Sequence, residues 1–288
     1  MKTLLHLFLC LALSASLLFA QEEKITLRGR IEHPPGTFYK YRIEHSLKEV
    51  TMSYEIADRV IKDKATFLHC TTAETRFVKT DEIELIYRED YTQQSFTFMG
   101  VPQQQDTHGP LEGLLIMGRW ENGKWRYTLE DAPTPEQEKA LQMLEHEMPG
   151  ETQEGMLYPD HPVAIGERWD LDPKAIQAYI NFPETLSSSG RGGMKLYEIV
   201  DHEGHRCAHL YFVLEVTLRS LDMNNEEILL EANIKGDIYR SLDIFMDIEG
   251  KFSGQMKMTG ERIIGRKRMN TCIAGPVNQR FSVEFHQP

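Results

Sequence analysis

The chain has few cysteines and few basic residues, and both shortages narrow what it can do. Four of its 288 residues are cysteine, and 32 are lysine or arginine against 44 aspartates and glutamates, which gives a formal net charge of −12. An acidic chain repels polyphosphate backbones, so we expect no nucleic-acid partner. After the first 20 residues no apolar run is long enough to cross a membrane. We therefore expect no transmembrane segment once those residues are removed.

The first 20 residues form the one long apolar run. Lys2 is followed by an uncharged stretch rich in leucine, which ends at Ala20 before the polar Gln21. That order is typical of a secretory signal peptide. We predict cleavage between Ala20 and Gln21, and hence a secreted or periplasmic protein. The alternative is that the segment is retained as an anchor. A lipid anchor is disfavoured because Cys10 lies within the apolar run.

Three cysteines remain after the signal: Cys70, Cys207 and Cys272. Because three is odd, at most one intramolecular disulfide can form, and its pairing stays open. The alternative is that all three are buried, inert thiols on strands.

Alternation with a period of two dominates the rest of the chain. Over 39–47, two tyrosines, Ile43 and Leu47 fall on one side, and charged or polar residues such as Arg42 fall on the other. Successive side chains of a strand point to opposite faces, so this pattern predicts a half-buried strand. Roughly a dozen segments read as strands in this way. Most are joined by short turns, which favours antiparallel pairing.

One hairpin is specified by its turn. Asn122-Gly123 can adopt the positive φ angles that a type I′ turn requires. This turn places Glu121 opposite Lys124 and Trp120 opposite Trp125, and cross-strand aromatic pairs stabilise a sheet by roughly 0.2–1 kcal/mol.

Two helices interrupt the strands. Thr134 and Gln137 form a capping box around Pro135, and Pro149-Gly150 ends this helix. A second helix is predicted over Asp172–Tyr179. The glycine- and serine-rich stretch Ser187–Gly193 has the composition of a flexible linker.

The segment Pro159–Trp169 carries the pattern P-V-x-x-G-x-x-W. It resembles a motif of uncharacterised exported bacterial β-proteins, which in turn resemble the lipoprotein-carrier group. The resemblance implies a curved antiparallel half-barrel with helices on its concave face. It also implies a cavity for an acyl chain or another apolar ligand, but it supplies no binding residues. From the residues alone, Gly166 permits a turn and Trp169 can anchor a strand start.

We therefore predict a mainly β protein with two helices, built as a curved antiparallel sheet or half-barrel. The expected organisation is a signal peptide over 1–20 and a single β-rich domain over 21–288. Within that domain we separate a front half at about 24–130, a helical mid-section at 131–193 and a back half at 194–288.

The most suggestive chemical cluster lies around the turn at 203–204. His202, His205, Cys207 and His209 include the ligand types that zinc and copper prefer. Alternate residues of one strand lie about 6–7 Å apart, however, so a tetrahedral site needs a bend or a further element. We expect no metal, and keep these four residues as weak candidates. The alternative is a solvated hairpin tip with a half-buried thiol.

No catalytic motif is present. The chain has no Gly-x-Ser-x-Gly elbow, and adjacent residues such as His69 and Cys70 point to opposite faces of a strand. We expect no catalytic residue, no enzyme activity and no cofactor. The leading hypothesis is a non-catalytic exported protein that binds an apolar small molecule, a lipid or another envelope protein. A structural or interaction protein without a cavity, and a metalloprotein using the His202–His209 cluster, are the alternatives.

Overall fold

A computed structural model describes residues 24–29, 33–56, 59–98, 101–147, 157–180, 185–221, 227–264 and 267–288. The predicted signal peptide, its cleavage site between Ala20 and Gln21, and the predicted helix end at Pro149-Gly150 lie outside the described residues.

Within these ranges the chain forms two helices, α1 over Pro135–Glu147 and α2 over Pro173–Ile180. It also forms fourteen strands: β1 Lys24–Ile25, β2 Phe38–Ile56, β3 Arg59–Lys79, β4 Glu82–Phe98, β5 Val101–His108, β6 Leu115–Glu121, β7 Lys124–Leu129, β8 Val163–Ala164, β9 Arg168–Asp170, β10 Thr185–His202, β11 His205–Leu221, β12 Glu227–Ser241, β13 Asp247–Ile264 and β14 Lys267–His286.

Twelve of these strands form one sheet. Its order is β7-β6-β4-β3-β2-β14-β13-β12-β11-β10-β9, and β5 pairs with the outer part of β4. Every strand pair in it is antiparallel. The path is open, with β7 and β9 at its ends, and β14 pairs with β2 to join the front strands to the back strands. The predicted mainly β, antiparallel fold with two helices is confirmed.

The hairpin around Asn122-Gly123 is confirmed in detail. Both residues have positive φ, 53° and 84°. Trp120 pairs with Trp125, and their ring centroids lie 5.5 Å apart in an edge-to-face arrangement. The register follows from the turn, because a two-residue loop fixes which residues face each other.

Both predicted helix starts are confirmed. The Gln137 backbone N–H donates to Thr134 Oγ1 at 3.3 Å, and the Thr134 N–H donates to Gln137 Oε1 at 2.9 Å. At the second helix, the Lys174 N–H donates to Asp172 Oδ1 at 2.8 Å. Each cap gives partners to amide groups that a helix start otherwise leaves unpaired.

The sheet has one apolar face. Residues paired across neighbouring strands point to the same side, so the register carries this face through the whole sheet. It runs through Leu85, Thr75, Tyr39 and Phe285, and then through Phe281, Gly250, Ile238, Leu210 and Leu196.

Both helices pack on this apolar face. Leu141 and Leu144 of α1 share a buried cluster with Leu85, and Ile176 of α2 shares another with Leu196 and Leu210. The hydrophobic core therefore lies between the two helices and the apolar face.

The interpretation of Ser187–Gly193 as a flexible linker is wrong. The stretch belongs to β10 and pairs residue by residue with β11. Gly190 makes room for α2, and Gly192 makes room for Leu171, which precedes that helix. A Cβ on Gly190 would lie 2.6 Å from Ile176 Cγ2, and one on Gly192 would lie 3.1 Å from Leu171 Cδ1. Glycine is present here because another element packs closely on the strand.

The segment Pro159–Trp169 is a structural junction. Its β8 pairs with β1, Gly166 turns the chain at φ 89°, and β9 then joins the edge of the large sheet at β10. Trp169 is half-buried against the core, and its Nε1–H donates to the Leu157 carbonyl at 3.2 Å. This matches the turn and anchor that the residues predict.

Candidate binding surface

The apolar face continues well past the two helices. On β2, β3 and β12–β14 it carries apolar, mostly half-buried side chains that belong to none of the buried clusters formed by the described residues. We call this region the open part, and the region under the helices the covered part. The open part consists of Leu47, Val50, Met52, Tyr54, Ile61, Ala65, Phe67, Ile228, Leu230, Ala232, Ile234, Met256, Met258, Ile273 and Val277.

Register aligns these side chains in rows across the strands. Leu230 pairs with Met258, Met258 with Ile273, and Ile273 with Met52. Along β12 the open part extends from Ile228 to Ile234, which is about 20 Å at 3.4 Å per residue. The open part is thus a continuous apolar strip about as long as an extended acyl chain.

The opposite face of the same strands is polar. Lys257 and Glu231 face each other there with 3.7 Å between Nζ and Oε2, and both side chains are about half exposed. A groove of about 720 Å³ crosses β10–β13 and is lined largely by residues of this polar face, such as Glu215 and Asn233. Such a lining does not suit an apolar ligand, so we assign the candidate surface to the open part.

One charged side chain interrupts the open part. Asp63 on β3 pairs with Met52 and therefore points to the apolar face. Its Oδ2 atom is buried and has no hydrogen-bond partner. A buried polar atom without a hydrogen-bond partner costs free energy, so this carboxylate lowers the stability of the folded protein.

A row of polar residues separates the open part from the covered part. Gln279 pairs with His45, His45 with His69, His69 with Thr92, and Thr92 with Thr107, on five neighbouring strands. We call these five residues the polar row. On the covered side the next residues include Ile43 and Thr71, and on the open side they include Leu47 and Phe67.

His69 is held in place within the polar row. Its Nδ1 lies 3.0 Å from Thr92 Oγ1, and its Nε2 lies 3.0 Å from Thr71 Oγ1. Thr71 in turn donates to Asp90 Oδ1 at 3.4 Å. A consistent assignment has His69 Nε2–H donating to Thr71 and Thr92 donating to Nδ1.

His45 is less constrained than His69. The two rings stack with their centroids 6.1 Å apart, and among the described residues no hydrogen bond satisfies the His45 nitrogens. Burial, with a smaller contribution from the nearby His69, lowers the pKa of His45 below its ordinary value of 6.5. Desolvation disfavours the charged imidazole, so His45 is neutral at pH 7 and above.

The four weak metal candidates do not form a common site. The His202 ring stacks on Tyr239 with centroids 3.9 Å apart, and its Nε2 lies 2.7 Å from Glu249 Oε2. His209 also stacks on Tyr239 and contacts two other carboxylates. In the described part of the chain no group of three His, Cys, Asp or Glu side chains is arranged to hold a metal ion.

The three cysteines within the described ranges are free thiols. Cys70 and Cys207 are buried and Cys272 is partly exposed. Burial, reinforced by the charge of Asp243, raises the pKa of Cys207 to about 11. A thiol that stays protonated at neutral pH is a poor nucleophile and a poor metal ligand.

The polar row was not singled out from the sequence, although part of its signal was there. The alternation over 39–47 places His45 on the same side as Ile43 and Leu47. The alternation does not contain the alignment of His45 with His69, which the register of β2 and β3 sets. It also does not contain the alignment with Gln279, because β2 and β14 are far apart in the sequence.

Comparisons with known proteins give no family. No protein-family model matches the chain, and no curated protein matches it. None of the helices in the described ranges is long and apolar enough to cross a membrane.

Two solved structures show a distant likeness. Lipovitellin, from a structure of its lipid–protein interactions, has a TM-score of 0.43 and 10% identity, and the match covers 88% of this chain and 25% of that one. The outer membrane protein OprG from Pseudomonas aeruginosa has a TM-score of 0.20 and 6% identity, over 89% and 98% of the two chains. The chain thus spans about a quarter of lipovitellin. With TM-scores below 0.5, neither likeness assigns a function.

Proposed function

We propose that this is a non-catalytic exported protein that binds an apolar, lipid-like ligand on the open part of its sheet, in the manner expected from its resemblance to the lipoprotein-carrier group. The observation that carries the proposal is the continuous apolar strip beyond the helices. A ligand that covers this strip removes its apolar surface from water. Each Å² of apolar surface buried in this way favours binding by roughly 25 cal/mol.

We propose a protein without catalytic activity because of where Thr92 and His69 lie in the polar row. Thr92 and His69 are within hydrogen-bond reach, as a nucleophile and a base would be. Thr92 lies on β4 between β3 and β5, however, where strand pairing uses the backbone N–H groups. Such a position offers no free N–H groups to stabilise an oxyanion.

Titration with the neutral fluorescent probe N-phenyl-1-naphthylamine tests the binding proposal. We expect the wild-type protein to bind the probe, and Met258→Glu to weaken binding at least tenfold because it places a charge within the strip. Lys257→Glu is the matched control, since it adds a carboxylate one residue away on the polar face. Failure of the wild type to bind, or equal loss in both variants, would contradict the proposal.

The same variants distinguish an interaction protein from a ligand carrier. If the open part instead buries itself against a second copy of the chain, sedimentation velocity will show a wild-type dimer that Met258→Glu converts to a monomer. We expect both the wild type and Met258→Glu to sediment as monomers.

Export is tested separately by the intact mass of protein recovered from outside the cytoplasm. A mass that begins at Gln21 supports cleavage after Ala20, and a mass that begins at Met1 would show a retained segment.

A further inference from the structure

The polar row lies at the inner end of the open part, which is apolar apart from Asp63, next to the point where the helices stop covering the sheet. An occupant that was apolar throughout would leave the His45 nitrogens and the neighbouring amide of Gln279 without water and without partners. Burying polar groups in that way costs free energy. The polar row therefore favours a ligand with one polar end.

The chemistry of the polar row also limits the charge of that end. Its side chains are two imidazoles, two hydroxyls and one amide, which both donate and accept hydrogen bonds and carry no fixed charge when the imidazoles are neutral. The adjacent apolar-face positions on β2, β3, β4 and β14 carry no lysine or arginine. A carboxylate lies close to one end of this group, since Asp90 Oδ1 is 3.8 Å from His69 Nε2.

Neither sign of charge on the ligand is matched by these groups. An anionic head group would find no lysine or arginine at these positions. A cationic head group would be taken out of water without a carboxylate beside it, because Asp90 lies on the covered side of the polar row, where Thr71 donates to it. A charge without a counter-charge is expensive to desolvate.

We propose that the ligand is an amphiphile with an uncharged, hydrogen-bonding head group, such as a hydroxyl or an acylglycerol ester. The head group contacts His45 and Gln279 in the polar row, and the chain lies along the open part. This assignment rests on the proposed function and names the chemical class of its ligand.

Four probes with the same sixteen-carbon chain test it by competition against N-phenyl-1-naphthylamine at pH 8: hexadecane, palmitate, hexadecylamine and 1-monopalmitoylglycerol. We expect monopalmitoylglycerol to bind about tenfold more tightly than each of the other three, which is the difference that one net hydrogen bond makes.

Variants of His45 link the preference to the polar row. His45→Leu should remove most of the tenfold preference, because it removes both the head-group contact and the cost of covering the imidazole with hexadecane. His45→Gln should keep the preference, because the amide can replace the imidazole hydrogen bond. His108→Leu is the control, since this exposed histidine pairs with Tyr91 and points to the polar face.

The outcomes separate the two proposals. Equal binding of all four probes, tighter binding of palmitate or hexadecylamine, or an unchanged preference in His45→Leu overturns the head-group assignment alone. No binding of any probe, and none of N-phenyl-1-naphthylamine, overturns the proposed function and this assignment with it.

Discussion

The covered and open parts of the sheet are built from the same alternating strands, yet their side chains end in different environments. Leu85 and Leu210 in the covered part are fully buried, because helices and neighbouring segments lie on top of them. Leu230 and Met258 in the open part are shielded mainly by their neighbours on the sheet and stay half-buried. Alternation creates an apolar face, but only a second layer makes that face a core.

The two parts also differ in how they treat charge. In the covered part, Arg240 has a side chain only 3% exposed, and it donates to Asp247 at 2.8 Å and to the Leu27 carbonyl at 2.7 Å. Its guanidinium also lies 4.0 Å from the centroid of the Tyr158 ring. In the open part, Asp63 has a buried oxygen with no partner. The covered part satisfies its buried charge, and the open part leaves one unsatisfied.

Breaking the Arg240 pair should have the largest effect. Asp247→Ala leaves a buried guanidinium without its carboxylate, and we expect a loss of about 3–5 kcal/mol in the free energy of unfolding. Urea denaturation measures this loss. Lys257→Ala breaks an exposed pair on the polar face and should cost less than about 1 kcal/mol. If Asp247→Ala and Lys257→Ala lower the free energy of unfolding by similar amounts, the buried pair and the exposed pair do not differ in the way we propose.

The same substitution in each part measures the cover directly. Leu85→Ala should lower the free energy of unfolding by about 3 kcal/mol, because it empties a site enclosed by helix and sheet. Leu230→Ala should lower it by about 1 kcal/mol, since that side chain is already partly in water. Equal losses in urea denaturation would mean that the open part is covered as fully as the rest.

Removing the unpartnered carboxylate should stabilise the protein. Asp63→Leu replaces a buried oxygen without a hydrogen bond by apolar surface, and we expect a gain of about 1 kcal/mol in the free energy of unfolding. Asp63→Asn keeps the shape but retains polar atoms, so its gain should be smaller. A loss of stability in Asp63→Leu would show that the carboxylate has a partner in solution.

The smallest expected effect is a pH dependence at the boundary between the parts. The pKa of His45 is lower in the folded protein than its ordinary 6.5, because burial disfavours the charged ring. Its contribution to stability is therefore complete above pH 6.5, and is lost as the pH falls through the depressed folded-state value. Wild type should lose more stability than His45→Gln between pH 7.5 and 5. If urea denaturation shows the same loss in the free energy of unfolding for both proteins between pH 7.5 and 5, this prediction is wrong.

Local patterns predicted a large share of the fold. The two capping motifs, the Asn122-Gly123 hairpin and the strand over 39–47 are all present, because each depends on interactions between residues close in sequence. Glycine was read less well. Gly190 and Gly192 look like parts of a linker, yet they lie in β10 where α2 packs against the strand.

The candidate site was less predictable than the fold. The four residues around the turn at 203–204 have the chemistry of metal ligands, but His202 and His209 both stack on Tyr239 and contact different carboxylates. The polar row contains no motif at all. Four of its members are aligned by the pairing of consecutive strands β2–β5, and Gln279 joins them only when β14 pairs with β2.

The sequence by itself determined which side of each strand is apolar, where the tight turns fall and how the helices begin. These features follow from dihedral preferences and side-chain alternation over a few residues. The tertiary structure alone decided which stretch of the apolar face is covered, why a glycine stands at position 190 beneath α2, and that Gln279 joins His45 and His69 in one row. Those outcomes depend on which distant strands pair and in what register, and that is set by the packing of the whole sheet.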